Sequence, residues 1–309
     1  MKNFITTKDR EYERSFDAML RGKQGNEIME NLRIGKNTLD GTYDLPDFAA
    51  GKFTEKLKKE SIFRSLATTV YSRGDATIFA HDSEDMAAWV TEGAKIPFRN
   101  EGEDDFTKFG IGFKKLTTAV KADEDFIEDA GFNLTRHICD HMAKALARGE
   151  DDAFVNGDGT DRPTGILYPD KGAETGVTAE ALTFDSVIQT FFSVKPEYRG
   201  KGKWLMNDNT ALTLRTLKDA DGNYLWNQSN DTILGKEVVI CEFMPNAEAG
   251  KMPIAFGDFS YYWIIDRKRL SARVLKELYA LNQQTAFLGV EYLDGMLVRR
   301  EAVKTLCIG

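Results

Sequence analysis

Residues 123–167 constrain the fold of this chain more than any other part of its sequence. A short acidic segment leads to Asn133, a favourable N-cap residue, and the apolar spacing after it predicts one long helix ending near Val155. Asn156 and Gly157 then stop the helix, and the glycine and aspartate residues beyond them predict a turn. We expect the helix to pack on a sheet through residues at steps of four and three: Leu134, Ile138, Met142 and Ala145.

Length and composition argue against a nucleic-acid-binding protein, a disulfide-stabilised domain and a membrane protein. At 309 residues and 42% hydrophobic content, the chain is long enough for two packed modules or one elaborated domain. Its 41 basic and 49 acidic side chains leave a net charge of −8, and no basic run indicates a phosphate-binding surface. Three distant cysteines indicate a reducing compartment rather than a disulfide framework. No stretch resembles a signal peptide or membrane span, so we expect synthesis in the cytoplasm and no membrane partner.

The first 40 residues predict two short helices, divided by a glycine-containing break at 22–25. Their apolar stripes are thin, so we expect these helices to need a neighbouring subunit or the shell wall to stay ordered. An extended linker over 37–46 precedes a third helix from about Ala49 to Glu60, and β-branched residues after it predict a strand.

Residues 72–109 predict a projecting hairpin. Ala76 to Ala80 forms a short strand, 101–106 form an exposed acidic tip, and no long apolar stripe connects the segment to a core. Trp89 lies in this hairpin, where a large aromatic ring is more typical of a subunit interface than of a ligand-stacking site.

The second half of the chain alternates between helices and strands. A polar loop at 219–228 carries two isolated aromatic residues, Tyr224 and Trp226. Asp294-Gly295, a typical hairpin dipeptide, divides the alternating C-terminal run into two predicted strands. The other predicted elements are helices at 184–194 and 210–218 and strands at 203–208, 237–241, 254–256 and 261–266.

Two patterns have a weak likeness to metal sites. His137 and His141 share a helix face, but Cys139 lies about 200° round the helix from His137, and no further ligand is apparent. Residues 156–161 are rich in Asn, Asp and Gly, yet they lack the ligand spacing and terminal glutamate of an EF-hand, so a turn is favoured. No phosphate-binding loop or catalytic triad is recognisable. The sequence therefore predicts no cofactor and no catalytic or metal site.

Three separated stretches occur in a fixed order: AAWVTEGAKIP at 87–97, ALARGEDDAFVNGDGT and PTGIL within 145–167, and IAFGDFSYYWIIDR at 254–267. Together they resemble the major capsid protein family of tailed bacteriophages, from about Tyr43 onward. The resemblance implies an α+β fold with a peripheral domain, which contains the long helix and C-terminal strands, and an axial domain. The implied ranges are an N-terminal arm (1–60), an extended loop with flanking strands (61–116), a first peripheral part (117–182), the axial domain (183–274) and C-terminal peripheral strands (275–309).

The resemblance also implies a structural function rather than an enzyme. Hexamers and pentamers of the chain would close into an icosahedral virion shell around double-stranded DNA, with scaffolding and portal proteins as partners. The polar loop at 219–228 would then be the axial loop of the family, which surrounds the capsomer axis. It would bring Asn223, Tyr224 and Trp226 against identical neighbours. Many relatives carry a long removable scaffolding segment, whereas only about 40 residues precede the matching region here. We expect either a separate scaffold protein or an arm that stays attached.

Some members of the family join an extended-loop lysine to a neighbour's asparagine. Lys95 occupies the matching loop, but Arg99 and the acidic residues at 101–105 indicate a hydrated, charged setting, so we expect shells without covalent links. Two alternatives stay open. One is an encapsulin-like nanocompartment, which shares the fold but packages a cargo enzyme, and the other is a soluble metal-dependent hydrolase that uses His137 and His141.

Overall fold

The computed structural model describes residues 6–21, 43–72, 76–81, 106–128, 133–218, 221–226, 231–275 and 277–309. Its helices are α1 (Arg10–Arg21), α2 (Asp47–Glu60), α3 (Ile62–Leu66), α4 (Glu124–Glu128), α5 (Leu134–Asn156), α6 (Phe184–Ser193), α7 (Pro196–Arg199) and α8 (Asp208–Thr216). Three short 3₁₀ helices cover Phe259–Tyr261, Ala280–Asn282 and Arg300–Ala302.

The strands form two large sheets and one hairpin. They are β1 (Tyr43–Asp44), β2 (Thr68–Tyr71), β3 (Ala76–His81), β4 (Phe106–Ile111), β5 (Lys114–Asp123), β6 (Glu174–Ala179), β7 (Lys203–Met206), β8 (Thr232–Ile233), β9 (Lys236–Ile240), β10 (Ile254–Gly257), β11 (Tyr262–Leu275), β12 (Gln284–Leu297) and β13 (Val303–Ile308). The five-stranded sheet has the order β1-β11-β12-β5, with β2 also paired to β11. The six-stranded sheet has the order β6-β13-β10-β7-β9-β8, and β3 pairs with β4. The mixed α+β class is confirmed.

Helix α5 begins where its cap residue predicts. The Asn133 side chain accepts a hydrogen bond from the Arg136 amide at 2.9 Å, which satisfies one of the free N–H groups of the first turn. Its buried face packs toward the five-stranded sheet, as predicted, but Ala145 is exposed and Leu146 takes the buried place instead. The stripe therefore continues at steps of four, which suits a helix lying along one side of a sheet.

Gly157 ends helix α5 by a different mechanism from the one predicted. Its φ of −65° is not left-handed, so conformational freedom is not why glycine stands here. A Cβ atom at this position would lie 2.0 Å from the Pro163 carbonyl oxygen. The predicted turn is confirmed, because the chain doubles back and the Gly165 amide donates to the Gly157 carbonyl at 3.0 Å.

Helix α1 belongs to the core of its own subunit, which corrects the expectation that it needs a neighbour. Its apolar face is buried in the same cluster as helix α5. The Tyr12 hydroxyl donates to the Asp44 carbonyl at 2.7 Å, and Arg21 donates to the Ile127 carbonyl at 2.9 Å. The second predicted helix, near 28–34, lies outside the described residues. Four large side chains compensate for the short stripe: Tyr12, Phe16, Met19 and Leu20.

The predicted hairpin at Asp294-Gly295 is wrong. Both residues lie inside the 14-residue strand β12, opposite Ile265 and Ile264 of β11. Glycine is required for close packing, since a Cβ on Gly295 would come within 2.9 Å of the Tyr262 hydroxyl. The break between strands falls later, at the 3₁₀ helix before β13.

The two sheets do not follow the predicted ranges of 183–274 and 275–309. Strand β11, expected only over 261–266, runs for 14 residues in the five-stranded sheet. Strand β13 joins the six-stranded sheet, antiparallel to β10 and parallel to β6. The chain therefore crosses between the two large sheets three times: between β5 and β6, between β10 and β11, and between β12 and β13. The capsid domain ranges themselves stay a prediction.

Candidate assembly surfaces

The segment after helix α8 forms a small closed loop. Lys218 and Tyr224 make an isolated antiparallel bridge, and the Leu225 amide donates to the Leu217 carbonyl at 3.0 Å. Tyr224 is 52% exposed and Leu225 is 42% exposed, while the Lys218 ammonium lies 4.7 Å from the Tyr224 ring centre. Asn223 is also exposed. The loop thus presents one polar and two large apolar side chains on its outer side.

Trp226 is buried, unlike the exposed Tyr224 and Leu225 of the same loop. It is only 2% exposed, lies in the core cluster that contains Trp204, and stacks under the Arg215 guanidinium at 4.7 Å. A buried indole removes a large apolar area from water, so Trp226 anchors the loop to its own subunit. The expectation that Trp226 contacts a neighbour is corrected accordingly, and the interface role stays a prediction for Asn223 and Tyr224.

A second exposed apolar surface lies between strands β11 and β12, and sequence reasoning missed it. Leu278 is 65% exposed and Leu281 is fully exposed, beside a left-handed Gln283 with φ of 53°. The Lys121 ammonium covers the Tyr279 ring at 4.9 Å. The sequence did contain a signal for this surface. Leu278 and Leu281 lie in a connection between two strands, where polar residues are usual.

The predicted hairpin starts from opposite sides of the five-stranded sheet. Strand β2 pairs in parallel with β11, while β5 pairs with β12 on the far side. We call β2 the outgoing leg of the hairpin and β5 its return leg. Strands β11 and β12 lie between the two legs, which are therefore roughly 14 Å apart at ordinary strand spacing. Beyond the legs, β3 and β4 pair from Ala76 and Ile111 to His81 and Phe106, which confirms the strand near Ala76. Trp89 and Lys95 lie outside the described residues, and their roles stay predictions.

A buried group of charges joins the outgoing leg to the body of the subunit. We call it the charged junction: Arg64 of α3, Glu150 of α5, Asp266 of β11 and Glu291 of β12. Arg64 donates twice to Glu150, at 2.7 and 2.6 Å, and twice to Asp266, at 2.8 and 2.9 Å. It also donates to Glu291 at 3.2 Å. Arg64, Glu150 and Glu291 are 6%, 1% and 3% exposed.

Asp151, next to the charged junction, caps the short helix α3. Its carboxylate accepts from the Ser61 hydroxyl at 2.8 Å and from the amides of Ile62 and Phe63 at 2.9 and 3.1 Å. A carboxylate at a helix N-terminus satisfies free N–H groups and complements the helix dipole. One turn of helix α5 therefore holds α3 through both Glu150 and Asp151.

Burial controls the acid–base properties of the charged junction. Burial raises the pKa of the Glu291 carboxyl well above its ordinary value, and the nearby Glu150 carboxylate raises it further while Arg64 opposes the shift. Burial likewise raises the pKa of Glu150 against the lowering effect of Arg64. On the return leg, Lys114 donates to both oxygens of Asp294, at 2.9 and 2.8 Å, and burial raises the pKa of Asp294.

The residues considered for metal binding do not come together as a site. His137 and His141 are both exposed, with ring centres 6.1 Å apart, and His137 packs edge-on to Phe126. In the turn at 156–161, the Asp158 carboxylate accepts from the Thr160 amide at 2.9 Å, so it serves the backbone. Within the described ranges, no three His, Cys, Asp or Glu side chains are placed to hold a metal ion. No helix of the described ranges is long and apolar enough to cross a membrane.

The fold is that of a viral shell subunit. The model of the phage capsid family matches residues 41–308. The chain belongs to that family and is a major capsid shell protein, a structural class that agrees with the α+β architecture. The expectation drawn from the three sequence stretches is confirmed.

Solved structures support the same conclusion. The capsid of a native GTA particle, computed with C5 symmetry, is 27% identical with a TM-score of 0.65, over 80% of this chain and 89% of that chain. The capsid of the empty GTA particle gives the same identity and coverage with a TM-score of 0.69. The structure from Microbacterium phage Oxtober96, 17% identical over 80% of this chain and 90% of that chain, has a TM-score of 0.59 and shows the fold alone. No curated protein sequence matches the chain.

Proposed function

We propose that copies of this chain assemble as hexamers and pentamers into a closed icosahedral shell around double-stranded DNA. The observation that carries the proposal is the likeness, over 80% of this chain, to GTA capsids computed with C5 symmetry. The exposed apolar side chains at the axial loop and at the β11–β12 tip fit contacts between identical subunits, because such groups gain most from burial. A net charge of −8 fits a wall that encloses DNA without adhering to it.

The proposed role is structural, with the virion as the final location and the host cytoplasm as the place of assembly. Scaffolding and portal proteins are the proposed partners during assembly. Expression alone and with a scaffold, followed by sedimentation and negative-stain microscopy, tests the proposal. We expect capsomers or closed particles, and particles from infected cells should hold nuclease-protected DNA. A compact monomer under every condition would contradict assembly, whereas co-purified protein cargo would favour an encapsulin-like compartment.

Asn223 offers a test of the axial loop. An Asn223→Cys variant should form disulfides between subunits in assembled, oxidised particles, because loops around a capsomer axis approach each other. Native Cys139 and Cys241 are buried, and the partly exposed Cys307 is replaced by serine to remove its background. The same variant in dissociated subunits is the control and should give no crosslink. Absence of crosslinks between subunits in intact particles would refute the placement.

Two proposals concern the hairpin, and both rest on the sequence. Trp89→Ala should weaken assembly more than folding of the subunit, and equal losses would show that Trp89 belongs to the core. For Lys95, we propose shells held without covalent links. Boiled particles should then give one band near 34.7 kDa on a reducing denaturing gel. Larger species that disappear in Lys95→Ala would contradict the proposal.

A further inference from the structure

The charged junction contains more negative than positive charge. One guanidinium faces three carboxylates, so full ionisation would leave an excess of two negative charges in a buried site. The charged groups that face one another here come from four elements: Arg64 of α3, Glu150 and Asp151 of α5, Asp266 of β11 and Glu291 of β12. On the remaining side, strand β5 places the apolar Leu116 opposite Glu291. Burying uncompensated charge is costly, so one of the carboxyl groups in such a site retains its proton rather than ionising.

One oxygen atom shows where that proton belongs. Glu291 Oε2 is buried without a hydrogen-bond partner, and Glu291 Oε1 receives only the 3.2 Å bond from Arg64. Arg64 already donates its shorter bonds to Glu150 and Asp266. An ionised Glu291 would therefore have one oxygen with no donor. Both Glu150 and Glu291 accept from the same Arg64 nitrogen, Nη2, at 2.6 and 3.2 Å, so the two carboxyls are neighbours and a protonated Glu291 can instead donate to Glu150.

We propose that Glu150 and Glu291 share one proton, and that release of this proton to water loosens helix α3 from strands β11 and β12. Two carboxylates at hydrogen-bonding distance repel each other when both are ionised. Helix α3 leads through Ala67 directly into β2, the outgoing leg of the hairpin. The angle and mobility of that leg thus respond to pH through a site inside the subunit.

The sign of the effect follows from the direction of the shift. Burial raises the pKa of Glu291 in the folded state well above the unfolded value of 4.5. The folded state therefore binds this proton more tightly than the unfolded chain does. Its contribution to stability is fully present below pH 4.5 and is lost as pH rises toward the folded pKa. The junction should be tight in acid and loose in alkali.

Infrared difference spectroscopy tests for the proton directly. Near pH 7, the full-length protein should show the carbonyl stretch of a buried protonated carboxyl, and Glu291→Gln should remove it. The matched control is Glu174→Gln, because Glu174 pairs with Lys304 at a partly exposed position in the other sheet and should leave the band unchanged. A spectrum without such a band, or a band that persists in Glu291→Gln, overturns the shared proton.

Hydrogen exchange tests the loosening. In one fixed assembly state, protection of the amides at 62–71 should fall by about tenfold for each pH unit above the transition, after correction for intrinsic exchange. Glu291→Gln, whose amide donates to Glu150 without titrating, should abolish this fall. Glu150→Gln should have the same effect and replaces the first variant if that one does not fold. A fall that persists in these variants, or is absent from the natural protein, overturns the coupling. These readouts do not depend on whether shells form.

Discussion

Both large sheets of the subunit pack on apolar cores, but the five-stranded sheet also borders a buried cluster of charges. In the six-stranded sheet, aromatic rings fill the core. The ring centres of Trp204 and Phe256 are 4.2 Å apart, and those of Phe191 and Phe256 are 5.0 Å apart. In the five-stranded sheet, the place where helix and strands meet contains Arg64 and its carboxylates. An aromatic core depends on volume and is indifferent to pH, whereas a charged junction depends on protonation and on donor geometry. The subunit thus combines an aromatic core that does not titrate with a charged junction that can respond to pH.

The largest expected effect comes from Trp204→Ala in the aromatic core. Trp204 is fully buried and its indole N–H donates to the Ile233 carbonyl at 3.0 Å, so the variant leaves a cavity and removes that hydrogen bond. Loss of about 4 kcal/mol of unfolding free energy is expected, measured by denaturant titration. The loss should be the same in mild acid and at neutral pH. Phe192→Ala, at a ring that is 62% exposed, is the control and should cost far less.

Arg64→Met in the charged junction should cost roughly 3 kcal/mol at neutral pH, because it leaves buried carboxylates without their cation. In acid the loss should shrink, since protonated carboxyls need no cation. Denaturant titrations at several pH values provide the measurement. Arg64→Lys retains the charge but not the paired donors, so its unfolding free energy should lie between those of the natural protein and Arg64→Met. If Arg64→Met and Trp204→Ala show the same pH dependence, the contrast between the two sheets fails.

Asp151→Ala should cost about 2 kcal/mol, because it removes the acceptor for the Ser61 hydroxyl and two amides of helix α3. Amide exchange should increase mainly at 62–66. The neighbouring variant Asp152→Ala is a matched control, since Asp152 pairs with exposed Arg162. A comparable loss in both variants would show that the cap does not hold the helix.

Tyr224→Ala should change subunit stability least, by about 0.5 kcal/mol or less, because its ring is mostly in water. Assembly should nevertheless weaken, seen as a smaller sedimenting fraction at equal protein concentration. Glu248→Ala, at an exposed polar side chain, is the control. Unchanged assembly in Tyr224→Ala would remove this ring from the proposed interface.

Elements with a long, regular pattern were predictable from the sequence. Helix α5 was expected from Asn133 to Val155 and spans Leu134–Asn156, because a cap and a continuous apolar stripe act locally. Asp294-Gly295 misled for the opposite reason. A dipeptide that favours a hairpin in isolation was overridden by the space that Tyr262 leaves for Gly295 inside a long strand.

The charged junction was not predictable in the same way. Arg64 meets its partners across 86, 202 and 227 residues of sequence, and no local pattern encodes contacts of that separation. The single hint was an arginine inside the otherwise apolar run SIFRSLA, because a charge there requires buried partners. The loop that contains Tyr224 and Trp226 shows the same limit, since only the folded subunit distinguishes inward Trp226 from outward Tyr224.

Strand β13 has a consequence for how the protein is made. It lies between β6 and β10, so β6 has no neighbour in the six-stranded sheet until residues 303–308 have been synthesised. Domains usually fold as they emerge from the ribosome, but this sheet must wait for residues 303–308, and its long-range pairings make the last step slow. A nascent chain that stops early keeps an open strand edge and an unfinished core, which invites proteolysis. The topology therefore makes this sheet depend on a strand that is made long after β6, and a chain without β13 leaves both β6 and β10 with an unpaired edge.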